Sequence, residues 1–344
     1  MDTFEIFRSK DEGRAWDKML ICFRDYNFQQ KYSFGEYEKS KGQEIFRAVL
    51  FKGGQSVVMG QGILRRPFPY FSLLTIRRGP VYQATDSEKA NLNNLRTFLR
   101  LMISYFRARN KLLYINCLFP NERSVTCEIA IREAGFTKPL LERSPHLTTV
   151  VTIEKDILKN SKLFHSKWRN QLRRAESLRP VFTWGNSEDL LNTYVKVHNS
   201  MCKLKSMQNY SISREELFSL REMLSDNIHF LIGKHDDQAV CGCLVITLGE
   251  KAFYYYAAAN SIGRKYYFSN AMIWKLIEKL NEIGISELDM SGIDPIANWG
   301  GYNFKKGVGG KLIAYQGEWE YVSSWLLKLI LNLYQLQKTK NLYN

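Results

Sequence analysis

The chain has 344 residues, 45% hydrophobic and 24% charged, a length and balance that suit two folded domains and exclude bulk disorder. Lys and Arg total 49 against 34 Asp and Glu, a formal net charge of +15, and such a field draws polyanions: nucleic acid, anionic membrane or phosphate-bearing substrates. A basic balance kept for solubility alone is the competing reading.

In chain order, EIFRAVLF (44–51) and QSVVMGQGIL (55–64) are β-rich runs around Lys52-Gly53-Gly54, a hairpin signal. SLLTIRRGPVY (72–82) is a further strand broken at Gly79-Pro80. Asp86-Ser87 can cap a helix over 88–109, with Leu92, Leu95, Leu99 and Met102 on one face. KLLYINCL (111–118) reads as a strand, 123–134 as a short helix ending at Gly135, and HLTTVVTI (146–153) as the strand that closes the first unit.

The second half repeats this plan. Helices over 188–201 and 213–224 precede strands at 228–233, 239–248 and 252–259. Ser269 is expected to cap a helix from Asn270 to about Glu282, followed by a strand at 285–290, a loop, a short segment ending in Gly309-Gly310 and a strand at 312–321. The landmarks LLYINC…IREAGF and ISELDM…NFKKGVGG match in order. The reading is therefore an internal duplication of a mixed α/β unit in GNAT order. It predicts two tandem GNAT-like domains, 1–158 and 159–321, with an amphipathic helix over 322–344 packed on the first and no long coiled-coil arm.

Cys22, Cys117, Cys127, Cys202, Cys241 and Cys243 form neither a C-x-x-C pair nor a Cys/His array at zinc spacing, so no metal site is expected and buried thiols in a reducing compartment fit best. The opening MDTFEIFRSKDEGRAW has no apolar signal core, and no run reaches the ~18 apolar residues of a spanning helix. The expected location is the cytoplasm, with contact at the inner face of the membrane as a further option.

Three stretches could carry chemistry. ISELDMSGIDPIANWGGYNFKKGVGG (285–310) ends in Phe304-Lys305 among glycines; glycines permit close backbone approach, and a lysine there could neutralise a developing oxyanion. A glycine-rich turn with solvated lysines explains the same letters. FHSKWRNQLRRAESLR (164–179) sets Phe164, Trp168, Leu172, Ala175 and Leu178 on one helical face and Lys167, Arg169, Arg173 and Arg174 on the other. Arg169, Arg173 and Arg174 are candidate phosphate ligands, arginine's fork being suited to phosphate; a plain solvated face is the alternative. In FYYYAAAN (253–260), Tyr254 and Tyr256 alternate onto one side of a strand, either core or a substrate groove. Asn270, at the start of the following helix, is a further substrate-binding candidate.

The run 285–310 resembles the end of the second domain of Fem-type (FemABX-like) transferases of the GNAT superfamily, in which a strand ending "DxxG" leads to "FKxxFGG". The matching residues are Asp289, Gly292, Phe304, Lys305, Gly309 and Gly310, with Val308 where the family commonly has Phe. RRGPVY (77–82), WRNQLRRAES (168–177) and FYYYAAAN are similar to other family segments in the same order. The resemblance implies an enzyme, an acyltransferase that moves an aminoacyl group from aminoacyl-tRNA to an amine of a peptidoglycan or polysaccharide precursor, nucleotide- or lipid-linked. It implies no cofactor. Lys305 would hold the oxyanion, Phe304 would shape the pocket and Asp289 is the candidate base. One departure is Phe34-Gly35-Glu36-Tyr37-Glu38, where the family often has Trp-Gly-x-x-Lys and Glu38 takes the lysine's place.

Two rival functions stand beside this one. An N-acyltransferase could use acyl-CoA or an acyl carrier, although RKYYFSNAMIW (264–274) lacks the glycine pair that cradles the coenzyme A pyrophosphate. A non-catalytic protein could bind polyanions or membrane through the same basic helix. The tail 322–344 contains no Asp or Glu and carries an apolar stripe of Trp325, Leu326, Leu329, Ile330, Leu333 and Leu336, with Lys328, Lys338 and Lys340 elsewhere. That pattern suits a membrane surface, or a helix packed back on the first domain.

Overall fold

A computed structural model describes residues 2–7, 13–142, 147–207 and 210–343, with 338–343 as backbone alone; Lys338 and Lys340 therefore lie outside the described side chains, as do residues 8–12 of the opening segment and His146. The chain forms two compact units, Met1–His146 with Ala314–Asn344, and Leu147–Ile313.

The first unit begins with β1 (Thr3–Ile6), α1 (Gly13–Leu20), α2 (Tyr32–Ser40), β2 (Glu44–Lys52), β3 (Gln55–Phe68) and β4 (Phe71–Arg77). It continues with α3 (Glu88–Arg107), β5 (Leu112–Glu122) and α4 (Val125–Glu133). The meander β1 to β4 is antiparallel, and α3 carries the chain over so that β5 runs parallel to β4. Ser87 caps α3 by accepting from the Ala90 amide, as its place before the apolar repeat suggests. Leu95, Phe98, Leu99 and Met102 then seal the sheet face formed by Leu50, Leu74 and Ile115.

The second unit holds β6 (Leu147–Thr152), α5 (Ile157–Leu163), α6 (Ser166–Glu176), β7 (Val181–Gly185), α7 (Glu188–Leu204) and α8 (Arg214–Leu224). Then come β8 (Ile228–His235), β9 (Gln238–Leu248), β10 (Lys251–Ala259), α9 (Ser261–Lys265), α10 (Phe268–Glu282), β11 (Glu287–Asp289) and α11 (Trp299–Gly307). Here too an antiparallel meander, β7 to β10, is followed by a crossover helix, α10, and a parallel strand, β11. Trp168, Leu172 and Ala175 of α6 and Met272, Leu276 and Leu280 of α10 fill one core with Leu231, Cys243 and Leu288. The duplication read from the sequence is thus physical: both units are mixed α/β layers with the same order of meander, crossover helix and parallel strand.

The chain then returns to the first unit as β12 (Lys311–Val322) and α12 (Trp325–Tyr343). β12 pairs antiparallel with β5, while β6 pairs antiparallel with β11. Each unit therefore takes its closing strand from the other half of the sequence. This corrects the assignment of 146–153 and 312–321, because an apolar strand pattern does not name its partner. Two further local expectations change. Ser269 does not cap α10; Tyr267 occupies that place in the left-handed region, φ +60, without a side-chain cap. The segment around Lys305 is a helix, α11, rather than a turn.

The glycines after α11 serve packing against protein rather than a ligand. A Cβ on Gly307 would stand 2.6 Å from Cδ1 of Trp168, and one on Gly310 would stand 2.4 Å from the Val150 carbonyl. Gly309 has φ +83 and a Cβ there would lie 1.9 Å from the Leu163 carbonyl. Val308, fully buried, fills the core between them. We expect Gly309→Ala to cost about 3 kcal/mol in urea unfolding; an unchanged midpoint would contradict this packing.

Candidate active site

The site of interest is built where two parallel strands part. β10 and β11 pair only through Lys251↔Glu287, Ala252↔Leu288 and Phe253↔Asp289. β11 stops at Asp289, while β10 runs on to Ala259 against β9. At this fork the Asp289 carboxylate, 8% exposed, accepts from the Thr148 hydroxyl at 2.5 Å and from the Ser291 amide at 2.7 Å. These bonds hold Ser291 at φ +60 and turn the chain sharply out of the sheet.

Lys305 reaches this same turn from α11. Its Nζ donates to the Gly292 carbonyl at 2.9 Å and to the Ser291 carbonyl at 3.3 Å. Burial pushes the ammonium down to about 8, with Asp289 pulling the other way. Asp289 and Lys305 are thus brought together, fastening one loop from two sides. Asp289 is already engaged by two donors, which makes it a positioning residue for the turn more than a free base.

A cavity of about 540 Å³ lies on the other side of α11. Gly300, Asn303, Phe304 and Gly307 share the face of α11 that lines it; Lys305, one residue past Phe304, points away. Its opposite walls are His165, Lys167, Trp168 and Gln171 of the α6 segment, and Gly263, Arg264, Tyr267, Ser269 and Asn270 around the start of α10. Lys167 and Arg264 bring positive charge, and no carboxylate lines the cavity. The uncapped N-terminus of α10 adds amides that favour an anion. Trp168 is 3% exposed and its indole Nε1 has no hydrogen-bond partner.

The expected ligands divide. Phe304 and Asn270 reach the cavity; Asn270 is 3% exposed, with its Nδ2 3.4 Å from Gln171 Oε1. The three arginines do not line it. Arg169 donates to the Phe164 carbonyl at 2.6 Å and so closes the end of α5. Arg173 is exposed, 3.4 Å from Asn170 Oδ1, and Arg174 lies 5.6 Å over the Tyr267 ring. On a helix docked by Trp168 and Leu172, these cations fall on the solvent side, while Lys167 and the residues just before it face the cavity.

The tyrosine pair also separates. A bulge between Tyr254 and Tyr256 breaks the alternation of β10. Tyr254 is buried in the core, where burial raises its phenol, and Tyr256 is exposed on the far side with its ring 6.1 Å from His198. Neither lines the cavity. Lys167, Arg264 and Trp168 were missed as site residues: Lys167 and Trp168 read only as helix faces, and Arg264 sat in a segment noted for its lack of glycines. That segment starts at the end of the helical turn α9 and runs into α10; just before it, a Cβ on Gly263 of α9 would meet the Val240 carbonyl at 2.2 Å.

In the first unit, the place of the departed lysine is closed by internal pairs. Glu38, buried, lies 3.4 Å from Lys41 and 3.6 Å from Arg77, and Glu36 accepts from Arg47 at 3.0 Å. Among the described residues no cluster of His, Cys, Asp and Glu could hold a metal ion.

The FemAB family model matches residues 185–335, a span that contains the fork, α10, α11 and Lys305. No curated protein matches the sequence. Among solved structures, the chain is similar to FemX, with a TM-score of 0.80 and 15% identity over 95% of this chain and 100% of that one. A conserved protein of unknown function from Bacteroides thetaiotaomicron VPI-5482 aligns with a TM-score of 0.62 and 12% identity, over 93% of this chain and 99% of that one. The C-terminal domain of a putative lysylphosphatidylglycerol synthetase from Agrobacterium fabrum aligns with a TM-score of 0.54 and 12% identity, over 94% and 96% of the two chains. These identities speak for the fold: residues 185–335 match the FemAB family model, and the whole chain shares the two-unit fold of FemX.

Proposed function

We propose that this acyltransferase moves an aminoacyl group from an aminoacyl-tRNA to an amine of a cell-envelope precursor, with Lys305 as its electrostatic catalyst. The observation that carries the reading is the Lys305 ammonium, half-buried and aimed at the turn where β10 and β11 part. An oxyanion formed there would meet a cation already partly desolvated, which needs little reorganisation to stabilise it.

The cation-lined cavity supports a nucleic-acid donor. The phosphodiester on the 5′ side of the terminal nucleotide would sit against Lys167, Arg264 and the start of α10, with the terminal base beside Trp168 or Phe304. The thickness of α11, about 10 Å with side chains, separates this cavity from Lys305. A terminal nucleotide with its esterified amino acid can reach around the helix over that distance. The acceptor amine then attacks the ester carbonyl, a C–N bond forms, and the C–O bond to the ribose breaks as the tetrahedral intermediate collapses. The amine's proton leaves to solvent or to the departing ribose 3′-oxygen, which becomes the 3′-hydroxyl. The acyl-CoA reading is less well supported, since α9 and Tyr267 occupy the stretch where a pyrophosphate loop would be needed.

A peptidoglycan or polysaccharide precursor, nucleotide- or lipid-linked, is the acceptor this reading takes. Among the described residues no helix is long and apolar enough to cross a membrane. The reaction would then draw on both partners from outside the bilayer core, at the cytoplasmic side.

Lys305→Ala should lower kcat by about 10²–10³-fold while leaving the fold intact; full activity in a folded variant would sink the reading. The rate should fall as pH rises through about 8, where Lys305 loses its proton, and Lys305→Arg should remove that fall. The same depressed value gives a signed stability effect. Between about 8 and the ordinary lysine value of 10.5 the unfolded chain binds the extra proton, so stability rises with pH across that window. Lys305→Met should flatten that rise.

Lys167→Glu combined with Arg264→Glu should weaken binding of an aminoacylated RNA minihelix about tenfold or more and reduce its salt dependence. Coenzyme A should not compete. Unaltered RNA binding in the double variant, or displacement by coenzyme A, would favour a different donor site.

A further inference from the structure

Helix α12 is turned inside out. Its arc toward the first unit contains Leu327 and Leu331, packed against Phe71 and Tyr114, but also Lys328, Asn332 and Gln335. Lys328 Nζ lies 2.5 Å from Thr137 Oγ1 and 3.8 Å from Glu320. The outward arc is apolar: Trp325 is 78% exposed, Leu333 57%, Ile330 54% and Leu326 51%. Leu329 and Tyr334 extend it. A helix on a water-facing surface normally shows the reverse arrangement.

A second exposed apolar element adjoins it. The tip of the β3–β4 hairpin presents Phe68 at 69% and Tyr70 at 67% exposure. Tyr70 is followed directly by Phe71, whose ring packs on Leu327 of α12, and the Tyr70 carbonyl accepts from the Leu112 amide at 2.9 Å. The tip is flanked by cations: Lys111 lies 5.8 Å from the Tyr70 ring, and Arg65 and Arg66 precede the tip, Arg66 paired with Glu44.

We infer that α12 and the β3–β4 tip form one docking surface for an anionic lipid bilayer, on which the helix lies in the interface plane. Charge decides between occupants. The segment 322–344 holds no Asp or Glu, and Lys111 stands beside the Tyr70 ring of the adjoining tip. A second copy meeting this face would bring like charges together with no carboxylate on that segment to offset them. Anionic headgroups would instead neutralise them while the exposed Leu, Ile and aromatic side chains enter the acyl boundary. The inference rests on the first unit alone, and so stands or falls separately from the transfer reaction.

The test is co-sedimentation of the full chain with vesicles of phosphatidylcholine alone and of phosphatidylcholine with about one third phosphatidylglycerol. The chain should bind the mixed vesicles and bind the neutral ones far less. Leu329→Glu with Leu333→Glu, and separately Phe68→Ser with Tyr70→Ser, should each weaken binding by about tenfold or more. Melting temperatures should stay unchanged, because these side chains are exposed. Binding by the variants equal to that of the parent would overturn the proposal and mark the attraction as a general effect of net charge. Absence of vesicle binding, or a concentration-dependent dimer abolished by Leu329→Glu with Leu333→Glu, would also overturn it, the latter assigning the surface to a second copy.

Discussion

The turn at residues 289–292 is the constraint on which the second unit's site depends. A parallel strand pair that stops after Phe253↔Asp289 leaves β10 with an unpaired flank and β11 with a chain that must leave the sheet at once. Asp289 supplies the first fastening, through Thr148 and the Ser291 amide, and Lys305 supplies the second, through the Ser291 and Gly292 carbonyls. A lysine so placed is at once a structural clamp and a half-buried cation. Its amine bonds to main-chain carbonyls that a substrate's oxyanion could replace, which is how a structural contact and a catalytic one can share an atom.

The rest of the unit holds this arrangement in place. α11 can present Lys305 only because it packs tightly on α6, and that packing requires glycine where Trp168 crosses it. The same contact leaves Phe304 and Trp168 on the wall of the cavity with Lys167 and Arg264. Removing bulk at residues 307, 309 and 310 therefore serves the geometry of the site indirectly, through helix docking, rather than by making room for a ligand.

Much of the fold was legible in the sequence because periodicity and caps are local. Ser87, Ser124 and Ser213 stand at their helix starts, and the hairpin at Gly53-Gly54 closes as its glycines suggest. Partnership was not legible. β6 and β12 carry the same apolar pattern, so nothing in either said that each would complete the other half's sheet. Of the expected site residues, Lys305 and Asp289 meet at the turn and Phe304 and Asn270 line the cavity, while Arg169, Arg173 and Arg174 do not reach it. A helical wheel gives the polar face of α6 but not which part of that face meets a neighbour. Tyr254 and Tyr256 were lost to a bulge, a one-residue event that strict alternation does not foresee. The stripe on α12 suited either a membrane surface or the first domain; Leu327 and Leu331 dock the helix and leave the stripe facing outward.

The central claim is that an ester carbonyl is delivered to Lys305 by a nucleic acid anchored across α11. A crystal structure with a short 3′-aminoacyl RNA in which a stable amide replaces the ester would address it most directly. The account predicts a phosphate against Lys167 and Arg264, and the amide oxygen about 3 Å from Lys305 Nζ in place of a loop carbonyl. An analogue bound elsewhere, with Lys305 still donating to the carbonyls of Ser291 and Gly292, would contradict it.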